Sequence, residues 1–468
     1  MRYGEYKMVD SLWVKEIPKH WDFDHLRTIF WERKESNDPI KTTEILSLSA
    51  KSGVQRYSDK THEGGNKAKD DLSKYHIAYP GDLIVNCMNV ISGSVGLSKY
   101  EGLISPVYYA LVVRSENYNR FYYNYVFSIE PFQKSLLPLG KGILMHESST
   151  GKLNTIRLRI AMSSLNNVPL PVPPREEQEQ IVRYLDWKVY KINKLIHGYQ
   201  RQIKLLEERK RTVTFLTVTK GLHSTVKTRN SDIYWLQEIP EHWETKSLAQ
   251  LFDEVKNKNH GMQEQNLLSL SYGTIKRRNI EATEGLLPAS FEGYNIIEKN
   301  DIVLRLTDLQ NDHKSLRTGI STERGIVTSA YLTIRNKSDS NPLYLHLFLH
   351  AFDLGKGFYN VGASGVRQSL NWDTIKTLKI LIPPLYEQDE IISYVKSEYE
   401  KADTATIVLQ KQIDLLKEYR TRLISDVVTG QIDVRGIEVP DYIPEEDIDE
   451  TVEENKDAEV DTDAESDQ

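Results

Sequence analysis

The chain has 468 residues, 39% hydrophobic and 27% charged, with 60 Lys or Arg against 67 Asp or Glu and a formal net charge of −7. No run of about 18 apolar residues occurs, which excludes a transmembrane helix, and Met1 to Lys19 mixes charges with Tyr and Trp where a signal peptide would carry an apolar region. Cys87 is the only cysteine, so no internal disulfide forms, no Cys/His cluster offers a zinc site, and a reducing cytoplasm is the expected location.

The charge is unevenly placed. Residues 441–468 hold 14 Asp or Glu and one Lys, a contribution of −13, which leaves the rest at +6. A mildly basic body permits nucleic-acid binding without demanding it. The acidic stretch reads as a disordered, solubilising tail; competition with DNA for basic surfaces is the sharper alternative.

Taken in order, the chain opens on Trp13-Val14-Lys15-Glu16-Ile17-Pro18-Lys19-His20-Trp21. The motif returns 222 positions later as Trp235-Leu236-Gln237-Glu238-Ile239-Pro240-Glu241-His242-Trp243, and Leu26 and Phe30 return as Leu248 and Phe252. The Ile-Pro pair ahead of an apolar segment reads as a helix entry. The tryptophans read as core anchors. His20 and His242 read as structural, because no nucleophile or carboxylate recurs beside them. Ile45–Ser49 and Leu267–Ser271 alternate as strands do. A polar, Lys- and Gly-rich segment, Lys51 to Asp71, follows the first; its counterpart carries Lys276-Arg277-Arg278. Pro80-Gly81-Asp82-Leu83-Ile84-Val85 and Lys299-Asn300-Asp301-Ile302-Val303-Leu304 read as turn then strand, Val107 to Arg114 and Ala330 to Arg335 as strands, and Phe121 to Phe127 and Leu343 to Leu349 as helices. Leu139-Gly140-Lys141-Gly142 recurs as Leu354-Gly355-Lys356-Gly357 and reads as a loop. It lacks the glycine spacing and Ser/Thr of a phosphate loop, which leaves contact with a DNA phosphate as its functional reading. The offset drifts from 222 to 210 between Phe127 and Arg157, so the first copy holds 12 extra residues there, as loops accommodate.

Each copy then enters a long periodic stretch through Pro173-Pro174-Arg175-Glu176-Glu177-Gln178 or Pro383-Pro384-Leu385-Tyr386-Glu387-Gln388. Val182, Leu185, Val189, Ile192, Ile196, Tyr199, Ile203, Leu206 and Val213 alternate at three and four residues. Ile392, Val395, Tyr399, Ala402, Thr406, Leu409, Ile413, Leu416, Leu423 and Val427 keep the same phase 210 positions on. That is the seam of a coiled coil. It breaks at Lys210 and at its counterpart Arg420, and Gly221 and Gly430 stop the helices. Gly198 interrupts the first and costs about 1 kcal/mol there. Roughly 43 residues make a rod of about 65 Å. Two ordinary surface helices are the simpler alternative, but exposed stripes need a partner and each copy is the other's nearest match.

The expected architecture is α+β: residues 1–172 a mixed α/β domain, 173–221 a spacer helix, 222–382 a second such domain, 383–430 a second spacer helix, and 431–468 a C-terminal segment with the acidic tail. Antiparallel pairing of the helices gives a pseudo-two-fold internal repeat. Parallel pairing satisfies the heptads equally but makes the second domain span the rod. The ends of each copy agree and the middles diverge, which suits two unlike readers of one long ligand with repeating spacing, namely duplex DNA.

The Glu-Ile-Pro-x-His-Trp opening, the Pro-Pro-x-x-Glu-Gln-x-x-Ile entry and the rod ending Lys411 to Gly430 resemble the specificity subunit of type I restriction-modification systems over residues 10 to 435. The resemblance implies two target-recognition domains, each reading half of a gapped DNA site. It also implies helices that act as ruler and dock two methyltransferase subunits, and a restriction-translocase subunit that joins them; methylation falls on adenine N6. The looser end of the first rod, Val213 to Gly221, and the acidic tail depart from the pattern. A methyltransferase's cofactor glycine loop and Asn/Asp-Pro-Pro-aromatic loop are absent, as is any ATPase loop. Asp22, Asp24, Glu32 and Lys34, with a Glu-x-Lys spacing, suggest a carboxylate-metal nuclease only weakly, because such short charged patterns are common by chance. The chain is therefore expected to be non-catalytic and to need no cofactor. A coiled-coil scaffold with two protein-binding domains is the competing reading. Candidate DNA contacts are the basic residues of the divergent segments: Lys51, Arg56, Lys67 and Lys69 in the first domain, and Lys276, Arg277, Arg278, Lys314 and Arg317 in the second.

Overall fold

The structure is a computed structural model that describes residues 2–50, 52–59, 71–143, 157–223, 225–233, 235–280, 288, 290–307, 309, 316–361 and 369–442. Its compact units cut across the order of the chain. One unit joins Met1–Gly198 to Gln412–Glu446; the other is built on Tyr199–Lys411. Each therefore contains one globular domain and a segment of both long helices.

In the first unit, Asp22–His25 pairs antiparallel with Pro169–Val172, the strand that leads into Pro173-Pro174. Four strands form the central sheet in the order 30–33, 108–113, 83–86, 95–97. Helix α1, Arg120–Ser128, starts at Asn119, whose side chain accepts from the Phe121 N–H, a favourable cap. Helix α2 runs Arg175–Lys220. The second unit repeats this plan. Glu244–Ser247 pairs with Lys379–Ile382, the sheet order is 252–254, 332–336, 302–304, 318–320, helix α3 is Pro342–Leu354 with Asn341 as its cap, and helix α4 is Leu385–Val428. The domain middles have diverged in sequence while keeping one strand order, since a buried sheet needs only apolar residues at the right spacing.

The turn-then-strand segments form as read. Gly81 and Asn300 both adopt positive φ, 91° and 72°, which glycine and asparagine tolerate best. The next residue in each copy is a buried aspartate held by an arginine: Arg33 Nε donates to Asp82 at 2.9 Å, and Arg335 Nε to Asp301 at 2.7 Å. Three readings are corrected. The Ile-Pro motif is not a helix entry: Glu16–Pro18 is a strand paired with Tyr6–Met8, and only the one-turn helix Leu26–Ile29 follows. Leu139–Gly142 is not a loop, because Gly140–Ile143 pairs with Arg157–Ile160. Its counterpart ends α3, with Lys356 at φ 58°. Gly198 does not break α2, whose helix continues through it; a Cβ there would meet nothing within 4 Å.

The opening motif and the long-helix entry motif of each copy meet in space. Glu177, 5% exposed, accepts from Trp21 Nε1 at 3.0 Å and from the Tyr3 hydroxyl, and lies 2.8 Å from His20 Nε2. Glu387, 8% exposed, accepts from Trp243 Nε1 at 2.9 Å and Tyr386 Oη at 3.0 Å, and lies 2.6 Å from His242 Nε2. Burial opposes the charge on Glu387, but the bonds from His242, Trp243 and Tyr386 outweigh it and hold the carboxyl below its usual range. Next in sequence, the Gln178 amide oxygen accepts the Asn119 N–H at 2.7 Å and its nitrogen donates to the Pro173 carbonyl at 2.7 Å. Gln388 does the same with Asn341 and Pro383, each at 2.8 Å. The Glu-Gln pair thus ties each long helix both to the opening motif and to the cap of the domain helix. His20 and His242 are structural, and they do have a carboxylate, 157 and 145 residues away.

Each unit pairs its two helix segments antiparallel. In the second, Arg209 reaches Glu398 at 2.7 Å, Lys210 reaches Asp403 at 2.7 Å, and Thr214 meets Tyr399 at 2.7 Å. In the first, Gln180 binds the carbonyls of Val434 and Ile437, and Arg420 donates to Asn193 at 2.6 Å. None of the seam residues is exposed; all are buried or half-buried. The shared polar breaks are register locks: Lys210–Asp403 and Arg420–Asn193 are each other's counterparts at an offset of 210. Gly221 and Gly430 end the helices at φ 75° and 73°. A Cβ on Gly221 would stand 3.1 Å from Trp243, and one on Gly430 would stand 3.0 Å from Trp21 and 2.4 Å from Pro18. Each tryptophan is therefore closed in by the end of one helix and bonded to the start of the other.

Glu387→Ala strands the buried Trp243 N–H and should cost about 3 kcal/mol. Urea unfolding monitored by tryptophan fluorescence measures it, and Glu387→Gln, which keeps one acceptor, should lose less. A change within about 0.5 kcal/mol, as at an ordinary surface position, would refute the clamp.

Candidate nucleic-acid interface

Two hairpins carry the divergent basic residues. In the first unit Leu46–Ser49 pairs with Gly53–Arg56; in the second Leu268–Ser271 pairs with Thr274–Arg277. Registers Leu46↔Arg56 and Leu268↔Arg277 place one arginine at the same corner of both hairpins. The second turn is tighter. Tyr272 and Gly273 both take positive φ, 47° and 77°, the two-residue turn that matches strand twist. Tyr272 stands 58% exposed at its apex.

The electrostatics of the two corners differ. The Arg56 guanidinium lies 4.8 Å from the Tyr100 ring centroid. Arg277 Nε donates to both carboxylate oxygens of Glu323, at 2.8 and 3.0 Å, which raises the arginine's pKa and lowers the glutamate's. Lys276 and Arg278 are exposed beside it. A bidentate pair fixes the fork of Arg277 while leaving 72% of its side chain in solvent, so it orients the group without burying it.

Arg317 does not belong on this surface. Its side chain is fully buried, Nη1 donates to the Thr307 carbonyl at 2.9 Å, and the guanidinium lies against Tyr359 with Cζ 5.7 Å from the ring centroid. A buried guanidinium is tolerated only with its donors satisfied, so Arg317 supports the domain from inside. Lys51, Lys67, Lys69 and Lys314 lie outside the described residues. Of the weak nuclease set, Lys34 pairs with Glu32 at 3.0 Å, while Asp22 and Asp24 lie on another strand. Among the described residues no group of three or more His, Cys, Asp or Glu could hold a metal ion, and no helix is long and apolar enough to cross a membrane.

Sequence reading missed Tyr272 and Arg324. Tyr-Gly between two alternating runs is a hairpin signal that could have found the first. Nothing local marks Arg324, which bonds Glu264 at 3.0 Å and also Glu298. It also missed what lies under the second hairpin. A Cβ on Gly273 would come within 3.5 Å of His350, and His350 stacks on His346 with ring centroids 5.8 Å apart. Burial, reinforced by the neighbouring His350, pushes His346 down to about 3. Burial, with Arg211 and Lys210, pushes His350 down to about 4, and burial raises Asp353 to about 6. His346 Nε2 is buried without a partner, as befits a neutral ring.

Against known proteins, the model of the type I restriction modification DNA specificity domain matches residues 34–205 and again 240–413. A type I restriction enzyme specificity subunit designated MjaX, from Methanocaldococcus jannaschii, is 21% identical over 445 residues, covering 90% of this chain and 96% of that protein. The MjaVIII specificity subunit of the same organism is 23% identical over 290 residues, covering 58% and 64%. A solved chain described under the complex assembly and conformational transition of the type I R-M system shares the fold, with a TM-score of 0.63 at 11% identity over 89% of this chain and 99% of that one.

Depressed histidines withdraw stability as pH falls below the unfolded value of about 6.5, whereas the raised Asp353 adds stability between about 6 and the unfolded value near 4. Two histidines outweigh one aspartate, so the cluster loses stability on acidification. His346→Leu should unfold less steeply with falling pH than the natural chain between pH 6.5 and 4 by thermal melts; parallel curves would contradict neutral burial.

Proposed function

The chain belongs to the type I restriction-modification DNA specificity family, and we propose that it is the DNA sequence-recognition subunit of such an enzyme, with each globular domain reading one half of a gapped site. The observation that carries this reading is a frame repeated down to its hydrogen bonds, with hairpins whose basic and aromatic side chains differ between copies. A repeated frame holds two readers alike; unlike reading edges give an asymmetric site. Lysines and arginines contacting phosphates supply register and salt-dependent affinity, and this reading assigns that role to Lys276, Arg277, Arg278 and Arg56, whose exposure at the hairpins supports it. Tyr272 adds a flat face at the hairpin tip. The paired helices set the gap and dock two methyltransferase subunits, and a restriction-translocase subunit joins that core. Catalysis resides in those partners. The body's net charge of +6 is modest for a DNA clamp, so the partners complete it and the isolated chain binds DNA weakly. The scaffold reading gives no account of the basic hairpin corners.

Changing Lys276, Arg277 and Arg278 together to Ala should relax or abolish reading of one half-site, at about 1–3 kcal/mol per lost base contact; methylome sequencing of a host carrying the variant and its methyltransferase reads the outcome. Equal loss at both halves would sink the assignment. Residues inserted into a long helix should lengthen the gap between half-sites and leave both halves unchanged by the same readout, and an unaltered gap would refute the ruler.

A further inference from the structure

One face of α2 has a chemistry its counterpart lacks. Trp187, Tyr190, Lys191 and Lys194 stand at i, i+3, i+4 and i+7 and so share one stripe. The residues 210 positions on, in α4, are Ser397, Glu400, Lys401 and Thr404. Lys188 and Lys191 place their ammonium groups 4.4 and 4.9 Å from the Trp187 ring centroid, and Lys194 lies 5.9 Å from that of Tyr190. The first face is aromatic and basic; the second is polar and carries a carboxylate where the first has Tyr190.

The end of the chain comes back to the first face. After Gly430, Val434 is fully buried, and Gln180 bonds the carbonyls of Val434 and Ile437 at 3.0 and 2.6 Å. Tyr442, the last described residue, stacks on Tyr190 with centroids 5.3 Å apart and planes at 28°. The chain is thus delivered to the middle of the lysine stripe. Residues 443–468 then hold 13 Asp or Glu and one Lys, beginning with Glu445-Glu446-Asp447. Trp187 to Lys194 is about 10 Å of helix, and three to five extended residues cover that distance.

We propose that the acidic segment beginning at Glu445 docks on the Trp187–Tyr190–Lys191–Lys194 face of α2, as a tethered polyanion that non-specific duplex DNA must displace. Charge complementarity, the point where the chain arrives, and the lack of that chemistry on the counterpart face all select this occupant. Each contact is weak and screened by salt. Tethering supplies a high local concentration, so the segment is bound at low ionic strength and readily displaced.

Zero-length carbodiimide cross-linking of the full chain, read by peptide mass spectrometry, tests the docking. Lys188, Lys191 or Lys194 should join carboxylates of Glu445–Glu450 at low salt and fail to do so at about 1 M salt. The Lys210–Asp403 pair, at 2.7 Å, serves as the control in the same sample. A control cross-link without the tail cross-link overturns the proposal. Removal of residues 443–468 should raise affinity for a non-cognate duplex about fivefold at low salt. In the Lys188→Ser, Lys191→Ser, Lys194→Thr variant the same removal should change nothing. An equal gain in that variant would mean that bulk charge alone acts, and would overturn competition at this face.

Discussion

The structure depends on a buried carboxylate at the first turn of each long helix. Glu177 and Glu387 each gather an indole N–H, an imidazole and a phenol. An anion withdrawn from water is costly unless its acceptor sites are filled, and here three donors fill them. The clamp therefore sets the angle at which a helix leaves its domain, with the neighbouring glutamine fixing the domain helix as well. Because the same clamp occurs twice, two domains with little sequence in common are mounted on their helices in the same way.

Closure of each unit by pieces from distant parts of the chain follows from helix pairing. A tryptophan that bonds the start of one helix packs against the terminal glycine of the other, where a Cβ would crowd the ring at 3.0 to 3.1 Å. The seam supplies apolar burial without choosing a register, since heptads slide by seven. Lys210–Asp403 and Arg420–Asn193 choose it, because slippage would leave a polar group facing an apolar seam.

On that frame, the edges of the two domains vary. The hairpins of the two domains share strand order and the position of one arginine, and differ in turn length, aromatic tip and counter-ion. The interior differs as well: Arg317 and Asp353 are buried in the second domain, and the half-buried His350, stacked on His346, lies beside Gly273 of its hairpin.

Residue order was enough to reveal the repeat, the long helices, their seam and polar breaks, the glycine stops, and most strands of both domains. These are periodic or local signals, set by side-chain spacing and by backbone freedom at a few positions. Tertiary structure alone decided that His20 and Trp21 meet Glu177, that Arg317 turns inward, that Gly140 begins a strand while Gly355 ends a helix, and which helix segments close which domain. Those outcomes depend on partners outside the local window, such as 20 positions away for Gly140 and Ile160 and 157 for His20 and Glu177, or on the choice between burial and solvent for one side chain. Neither leaves a trace in the spacing of neighbouring residues.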